Sequence, residues 1–265
     1  MIVDRLRLDG KQGLMIGAGG HGMGSATTLA LAQAGALVAG VARTESTLQE
    51  EKERLGESFV GIQGDVTEEG SVDRIVDEAL SRLGHLDFVV NLVGGTQAGD
   101  WARADAIDVR AAEDCFELNM WYVFRVCQAV GRHMIDRRGG VIINVTSGDA
   151  LTSSPNHAPY GMAKSAVESL TQTLAIEWAQ FGIRVNALSP GRIRTPRIGE
   201  IIPPEFDISD QEPVVRALEP EEVSGTILFL ASDLSSGING QVISVDGGLK
   251  ARAPGGTLRA YELIG

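Results

Sequence analysis

The sequence is poor in the features that mark several classes of protein. Only 2 of its 265 residues are cysteine, aromatic residues make up 5%, and 23 basic residues face 35 acidic ones, for a net charge of -12. This negative charge argues against partners such as nucleic acid or an anionic membrane surface. No run reaches about 18 uncharged apolar residues, and the first residues lack the apolar core of a secretory leader. We therefore expect a cytoplasmic protein that binds neither nucleic acid nor membrane.

The two cysteines, Cys115 and Cys127, fall in one predicted helix. Twelve positions along a helix separate them too widely for a disulfide, and their spacing does not resemble that of a metal site. We interpret both as thiols of the core or the surface, and we predict no metal ion.

Glycine, by contrast, is abundant, with 33 residues, many of them at the ends of apolar runs. The apolar runs predict strands at 13–17, 37–42, 59–66, 86–95, 140–147, 183–191 and 240–248, and helices lie between them at 25–35, 44–56, 71–84, 110–137, 157–181 and 221–232. Continuous apolar strands that alternate with helices predict an α/β fold with a parallel sheet covered on both faces. Without a repeat or a linker, the whole chain, 1–265, is expected to form one domain.

A glycine-rich turn joins the first strand to the first helix. It contains Gly17, Gly19, Gly20, Gly22 and Gly24. Such glycines allow the main chain to approach a pyrophosphate that sits on the N-terminus of the helix. The preceding strand, the following helix and the second strand complete a unit of roughly 30 residues, which is the setting a dinucleotide site requires.

The residues after the second strand indicate which dinucleotide. An NAD site usually places Asp or Glu there for the ribose 2′-hydroxyl, whereas this chain has Arg43 and Thr44. A guanidinium and a hydroxyl suit a 2′-phosphate, and His21 in the glycine turn would add positive charge. We therefore favour NADP(H) over NAD(H). The alternatives are that Arg43 is a solvated residue at a helix start and that His21 is an ordinary loop residue.

A third group of residues follows the fifth strand. Ser147 ends that strand, Tyr160 comes thirteen residues later, and Lys164 follows after four more. The last two share a helix face, one turn apart. A phenol normally titrates near ~10, and a neighbouring ammonium favours its phenolate form. Tyr160 is thus a candidate acid/base and Ser147 a hydrogen-bond partner for a carbonyl or alcohol oxygen. Taken alone, the Tyr–Lys pair would be an ordinary pair on an amphipathic helix.

Together these pieces resemble the short-chain dehydrogenase/reductases, including the 3-oxoacyl-acyl-carrier-protein reductases, over about residues 8–248. The matching fragments are GK at 10–11, the GAGGHGMG turn, GDV at 64–66, NLVG at 91–94, Asn119, the Ser147/Tyr160/Lys164 set, VNALSPGRIRT at 185–195 and the closing FLAS and GQVISVDGG. The resemblance implies a single Rossmann domain with a doubly wound, seven-stranded parallel sheet. It also implies hydride transfer between a nicotinamide and a carbonyl/alcohol pair.

The resemblance assigns roles residue by residue. It implies that Tyr160 is the acid/base, that Lys164 lowers its pKa and binds the nicotinamide ribose, that Ser147 orients the substrate oxygen and that Asn119 holds a water of the proton relay. The cofactor set that we infer comprises Gly17, His21, Gly22, Met23, Gly24, Arg43, Thr44, Asp65, Val66, Asn91, Gly94, Tyr160, Lys164, Pro190, Gly191, Ile193 and Thr195. Without the resemblance, Asn119 would be a residue that satisfies backbone groups inside a helix.

Two departures from the family pattern affect cofactor seating. The threonine that usually opens the glycine turn is replaced by Ile16 or Gly17, depending on the anchor, and the second Asn of Asn-Asn-Ala-Gly is Leu92. Two alternatives therefore accompany the leading hypothesis: a cofactor-binding protein with little turnover, and an NAD-dependent alcohol dehydrogenase.

The substrate pocket is expected to come from segments 95–107, 149–157 and 196–213. The last of these contains the apolar residues Ile198, Ile201, Ile202 and Phe206, which favour a hydrophobic substrate and a lid. We interpret Trp101 as a packing residue in a loop near the predicted site, and we assign no catalytic role to His157, which has no obvious partner. The family is usually tetrameric through the helices that carry Asn119 and Tyr160, and Ala166, Leu170 and Leu174 agree with that assembly. The tail, 249–265, is a further candidate for a subunit contact.

Overall fold

The computed structural model describes residues 1–195 and 217–251. Seven strands form one parallel sheet in the order β3-β2-β1-β4-β5-β6-β7. They span Gln12–Ile16 (β1), Leu37–Ala42 (β2), Phe59–Gln63 (β3), Phe88–Asn91 (β4), Gly140–Val145 (β5), Ile183–Pro190 (β6) and Val242–Val245 (β7). The helices are Met23–Gln33 (α1), Glu45–Leu55 (α2), Ser71–Leu83 (α3), Val109–Phe116 (α4), Tyr122–Arg137 (α5), Ala158–Trp178 (α6) and Pro220–Ala231 (α7). The predicted doubly wound fold is confirmed.

Helices cover both faces of the sheet. One core layer packs α3, α5 and α6 against the strands, with Ile75, Val126 and Val167 all fully buried. The other layer packs α1, α2 and α7, through Leu31, Leu48 and Ile227, against the opposite face. Because both faces are buried, the strands are apolar on both sides, and the sequence shows uninterrupted apolar runs.

β2 ends at Ala42 as predicted, but the other six strands end earlier than the sequence pattern predicts. β4 stops at Asn91 instead of continuing to residue 95, because the N–H groups of Leu92 and Val93 both donate to the carbonyl of Ile16. The chain then leaves the sheet through Gly94 and Gly95. β1 and β4 are neighbours although α1 to α3 separate them in sequence, so the order reverses here and opens a crevice at their carboxyl ends.

The helix predicted at 110–137 is continuous but changes pitch. α4 passes into a π-helical turn, Glu117–Trp121, before α5 begins. Such turns are rare and are found frequently at functional sites. Both cysteines are buried and carry free thiols. Within residues 1–195 and 217–251, no helix is long and apolar enough to cross a bilayer, and no group of His, Cys, Asp or Glu converges as metal ligands would.

Candidate active site

The glycine turn is packed too closely for side chains at two positions. A Cβ atom on Gly24 would lie 2.2 Å from the carbonyl oxygen of Gly17, and one on Gly19 would lie 2.5 Å from Cγ2 of Thr47. The N-cap of α1 is Gly22, which offers no side-chain oxygen to the first N–H groups of that helix. These groups and the bare main chain of the turn suit an anionic ligand.

The main chain holds this turn in place. The N–H groups of Gly17 and Ala18 donate to the carbonyl of Val41 at 3.1 and 2.9 Å. These bonds fix the turn to the end of β2 where the family pattern would use a threonine hydroxyl. The replacement of that threonine therefore leaves the turn anchored.

A cleft of about 1020 Å³ opens beside the turn, at the carboxyl ends of β1 to β4. Seven residues of the inferred cofactor set line it, namely Gly17, Met23, Arg43, Thr44, Asp65, Val66 and Gly94. The lining also includes residues that the sequence did not single out for cofactor contact, namely Ala18, Val41, Ala42, Thr47, Gly64, Thr67, Leu92, Val93, Gln97, Asp114, Glu117 and Leu118. Thr47 projects from the first turn of α2, which only the packing of that helix reveals.

The ribose end of the cleft has the polarity expected for a 2′-phosphate. Arg43 follows β2 directly, and the hydroxyls of Thr44 and Thr47 lie 2.8 Å apart. The nearby carboxylate of Glu51 is buried and already accepts from the Ser25 hydroxyl and the Arg54 guanidinium. His21 lies outside the lining of the cleft, where its Nε2 is 3.4 Å from a carboxylate oxygen of Glu50.

Asp65 is held rigidly at the other side of this end. Its Oδ1 accepts from the backbone N–H and the hydroxyl of Thr67, at 2.9 and 2.6 Å. Partial burial raises the pKa of Asp65, but these two bonds and the charge of Arg43 outweigh it and lower the pKa overall. Asp65 is therefore a fixed carboxylate, and the largely buried Val66 beside it supplies an apolar surface.

Other residues of the inferred cofactor set lie behind the cleft. Asn91 is fully buried and donates to Asn144 Oδ1 at 2.8 Å, across β4 and β5. Pro190 ends β6, and Gly191 is bonded through its N–H to Val245. Ile193 is buried, and Thr195 packs against Gly22, where its Cγ2 would be 3.3 Å from an added Cβ.

Lys164 and Tyr160 lie together, and Lys164 is next to Gly94, which lines the cleft. The ammonium of Lys164 is 2% exposed, donates to the carbonyl of Val145 at 3.1 Å and lies 5.8 Å from the centre of the Tyr160 ring. Burial lowers the pKa of Lys164 to about 8. A buried cation near a phenol favours the phenolate, which is the arrangement a tyrosine acid/base requires.

Asn119 belongs to the π-helical turn and points toward the same place. Its Nδ2 donates to the carbonyls of Gly95 and Cys115, both at 2.9 Å, and its Oδ1 accepts from the N–H of Gly95 at 2.9 Å. A Cβ on Gly94 would lie 2.8 Å from both this Oδ1 and the Lys164 Nζ. The amide of Asn119 thus fixes the loop after β4 against Lys164.

Ser147 stands two residues beyond the end of β5. Its Oγ accepts from the N–H of Asp149 at 3.3 Å and caps the short 3₁₀ turn Gly148–Ala150. Because the hydroxyl oxygen is the acceptor in this bond, its proton is available to a substrate oxygen.

Trp101, which we interpreted as a packing residue, and His157, to which we assigned no partner, both stack beside Tyr160. The His157 ring stacks on the Tyr160 ring with centroids 4.6 Å apart and an angle of 10°, and Trp101 stacks on the other face of His157 at 4.0 Å and 8°. The position of His157, three residues before Tyr160, is a signal that the sequence contained. The approach of Trp101 had no local signal.

The residues present fit a dinucleotide cofactor. The glycine turn has a surface that an added Cβ would obstruct, the cleft is long enough to run from Arg43 to Gly94, and the helix N-terminus offers N–H groups to a pyrophosphate.

Comparison with known proteins agrees with this geometry. Residues 17–250 match the family model described as enoyl-(acyl carrier protein) reductase. The chain is 37% identical over 252 residues to the 3-oxoacyl-acyl-carrier-protein reductase of Thermotoga maritima, covering 92% of this chain and 99% of that protein.

Two solved structures with bound cofactors are also similar. The first is a gluconate 5-dehydrogenase from Burkholderia cenocepacia in complex with NADP and tartrate, with a TM-score of 0.87, 33% identity and coverage of 96% of this chain and 100% of that one. The second is a 7α-hydroxysteroid dehydrogenase complexed with NADH and 7-oxo glycochenodeoxycholic acid, with a TM-score of 0.86, 30% identity and coverage of 93% and 96%.

Proposed function

The chain belongs to the short-chain dehydrogenase/reductase family of oxidoreductases that act on alcohol and ketone groups, and from that premise we propose that it transfers a hydride between NADP(H) and a carbonyl/alcohol pair with Tyr160 as the acid/base. The observation that carries the proposal is the buried ammonium of Lys164, which lies 5.8 Å from the centre of the Tyr160 ring and next to Gly94, a residue that lines a cleft suited to a dinucleotide.

In the direction of reduction, each residue of the site has one task. NADPH, when bound, supplies the hydride that the carbonyl carbon receives. Ser147 donates a hydrogen bond to the carbonyl oxygen, and Tyr160 delivers the proton that this oxygen takes up. Lys164 favours the resulting phenolate and binds the nicotinamide ribose. Asn119, in its π-helical turn, holds a water that returns a proton from solvent.

The preference for NADP(H) rests on the ribose end of the cleft. Arg43 and the hydroxyls of Thr44 and Thr47 line it, and the carboxylate of Glu51 is already bonded to Ser25 and Arg54. The guanidinium of Arg43 would give a 2′-phosphate a cationic partner there. Of the two solved structures named above, one contains NADP and the other NADH. The proposed preference for NADP(H) therefore rests on these residues of this chain.

The remaining cofactor residues take the roles expected from the family. Asp65 and Val66 would flank the adenine, and Gly94 would lie under the cofactor, supported by the bond of Asn91 to Asn144. Pro190, Gly191, Ile193 and Thr195 would approach the nicotinamide carboxamide and the phosphates. Gly22, Met23 and Gly24 would surround the pyrophosphate, whereas His21, outside the lining of the cleft, would add only positive charge nearby.

The proposed substrate is a small carbonyl compound with an apolar part. Trp101 and Leu151 expose 54% and 55% of their surface and flank the catalytic residues from the loop after β4 and the turn after Ser147. Segment 196–213, which we expected to add the apolar lid, lies outside the described residues.

We also propose that the chain, a single domain over 1–265, forms a homo-oligomer through α4 to α6. Val109, Trp121, Phe124 and Ile176 expose 73%, 46%, 37% and 80% of their surface on these helices. Leu174, which we expected at this surface, is only 7% exposed because it packs into the chain's own core. Light scattering of the wild-type protein and of F124E will test the assembly, and an unchanged mass for the variant would contradict it. The tail beyond residue 251 lies outside the described residues.

Binding and turnover must be measured separately to test the central proposal. Fluorescence titration with NADPH and NADH gives the affinities, and oxidation of NADPH with a panel of aliphatic and cyclic ketones gives the turnover. We expect tighter binding of NADPH and measurable reduction of at least one ketone. Tight NADPH binding with no oxidation on any ketone or alcohol would favour the cofactor-binding protein without turnover. Equal or tighter NADH binding would favour the NAD-dependent alcohol dehydrogenase.

A further inference from the structure

The ring of His157 packs against one face of the Tyr160 ring. His157 is the N-cap residue of α6, three positions before Tyr160, and its ring lies nearly parallel to the phenol at 4.6 Å. Residues three apart on a helix share a face, so this contact follows from the helix itself. The ammonium of Lys164 approaches the same ring from the next turn.

Trp101 covers the opposite face of the imidazole and closes the stack. Its ring is 4.0 Å from that of His157 and 54% exposed on its outer side. The next residue adds a main-chain bond, from the N–H of Ala102 to the carbonyl of Asn156 at 3.0 Å. Asn156 adopts a left-handed conformation, with φ of +59°, that a non-glycine residue seldom takes. The loop after β4 is thus tied to the start of α6 beside the stack.

An imidazole at this position lowers the stability of the fold more than an apolar ring would, so packing alone does not account for it. His157 is 3% exposed, and neither ring nitrogen has a hydrogen-bond partner within residues 1–195 and 217–251. A carboxylate oxygen of Asp149 lies 3.4 Å from Nδ1, within the distance of an ion pair but without the alignment of a hydrogen bond. A buried polar ring without partners destabilises the fold relative to an apolar ring of similar shape.

We propose that His157 is a positioning residue that fixes the plane of the Tyr160 phenol through the stack with Trp101, and that protonation of the imidazole releases it toward Asp149. This inference rests on the proposed role of Tyr160 as the acid/base. A correctly oriented acid/base group is worth a large factor in rate, because small misplacements of reacting groups are costly.

Two carboxylates and one phenol face the imidazole from the described elements. Asp149 approaches from the turn Gly148–Ala150, Asp100 from the loop that carries Trp101, and Tyr160 from α6. Burial lowers the pKa of His157, although Asp149 and Asp100 oppose that effect. The ring is therefore neutral and stacked at neutral pH, and it becomes charged only below the ordinary histidine pKa of about 6.5.

The test compares kcat, the dissociation constant for NADPH and the pH profile of kcat among H157A, H157F, W101A and W101F. We expect H157A to lower kcat about tenfold, with NADPH affinity within about twofold of wild type, since stacking energies are of that order. H157F keeps a planar ring and should restore kcat to within about threefold. It should also lack the acid limb of kcat that we expect for the wild type as the imidazole becomes protonated. W101A should lower kcat and W101F should restore it.

Several outcomes would overturn the inference. Wild-type kcat and pH profile in H157A would show that the stack does not orient Tyr160, and an H157F as impaired as H157A would show that the imidazole acts otherwise than by stacking. The W101 pair gives the same decision at an exposed position if the H157 variants do not fold. H133A, which alters a partly buried histidine bonded to the N–H of Leu86, is the matched control and should keep wild-type kcat. Full activity in Y160F would instead refute the proposed function.

Discussion

The ammonium of Lys164 lies 5.8 Å from the centre of the Tyr160 ring, one helical turn away on α6, and is almost completely buried. We expect the Tyr160 hydroxyl of this pair to act as the acid/base. Replacing Tyr160 by Phe removes only the hydroxyl and should lower kcat by at least 10²-fold, in keeping with the loss of a general acid/base. NADPH affinity should stay within a few fold. Steady-state kinetics with the best ketone and a fluorescence titration measure the two quantities. The control is Y122F, which removes the Tyr122 hydroxyl that donates to the carbonyl of Val93 in the core and so reports the loss of a phenolic hydroxyl elsewhere.

The buried charge of Lys164 should lower the free energy of unfolding. Burial lowers its pKa from 10.5 to about 8, so the charged form is disfavoured in the folded state by about 3 kcal/mol at pH 7. Replacement by Met removes this cost and also removes the bond to Val145, worth about 1 kcal/mol. We expect K164M to abolish turnover and to raise the free energy of unfolding by about 2 kcal/mol at pH 7.

The sign of the pH dependence identifies the cause. Because the folded pKa is depressed for a base, the wild-type penalty is complete below pH 8 and disappears as pH rises from 8 to above 10.5. Urea unfolding at pH 7 and pH 10 should therefore show the advantage of K164M shrinking at the higher pH. K52M is the matched control, since Lys52 also donates to a backbone carbonyl, that of Phe59, but is 43% exposed. A constant difference for K164M would contradict the assigned pKa.

Arg43 should discriminate between the two dinucleotides. Its guanidinium lines the ribose end of the cleft, and a hydrogen bond between charged groups contributes about 1.5–3 kcal/mol. We expect R43A to weaken NADPH binding by roughly tenfold or more and to leave NADH binding within about twofold. R82A, which removes an arginine bonded to the carbonyl of Gly61 and outside the cleft, should affect neither. Equal losses for both cofactors in R43A would show that it contacts some other part of the dinucleotide.

Gly24 should not tolerate any side chain. Its Cβ would meet the carbonyl oxygen of Gly17 at 2.2 Å, so G24A must displace the glycine turn from α1. Overpacking of this kind costs about 1–3 kcal/mol, and we expect a lower melting temperature and NADPH binding weakened at least tenfold. G225A, in α7, where a Cβ meets no described atom within 4 Å, should instead be neutral or stabilising. Wild-type NADPH affinity in G24A would refute the proposed contact of the turn with the cofactor.

Much of the fold could be predicted from the sequence because its determinants are local. The strands of a sheet buried on both faces are continuous apolar runs, and the helical spacing of Tyr160 and Lys164 placed both on one face of α6. The strand ends were less accurate, since β4 stops where Leu92 and Val93 bond to Ile16, a contact between residues more than 70 positions apart. The contacts that join distant segments at the site were harder still to predict. Thr47 reaches the cleft through the packing of α2, and Trp101 reaches His157 across 56 positions of sequence. Neither of these contacts produces a periodic pattern in the sequence.

The anchoring of the glycine turn by main-chain bonds affects how freely its sequence can drift. The N–H groups of Gly17 and Ala18 both reach the carbonyl of Val41, and every amino acid except proline carries an N–H group. The opening threonine can therefore be lost during evolution while the phosphate-binding surface persists. A search pattern that insists on that hydroxyl will overlook chains of this kind, whereas one that insists on the close-packed glycines will retain them.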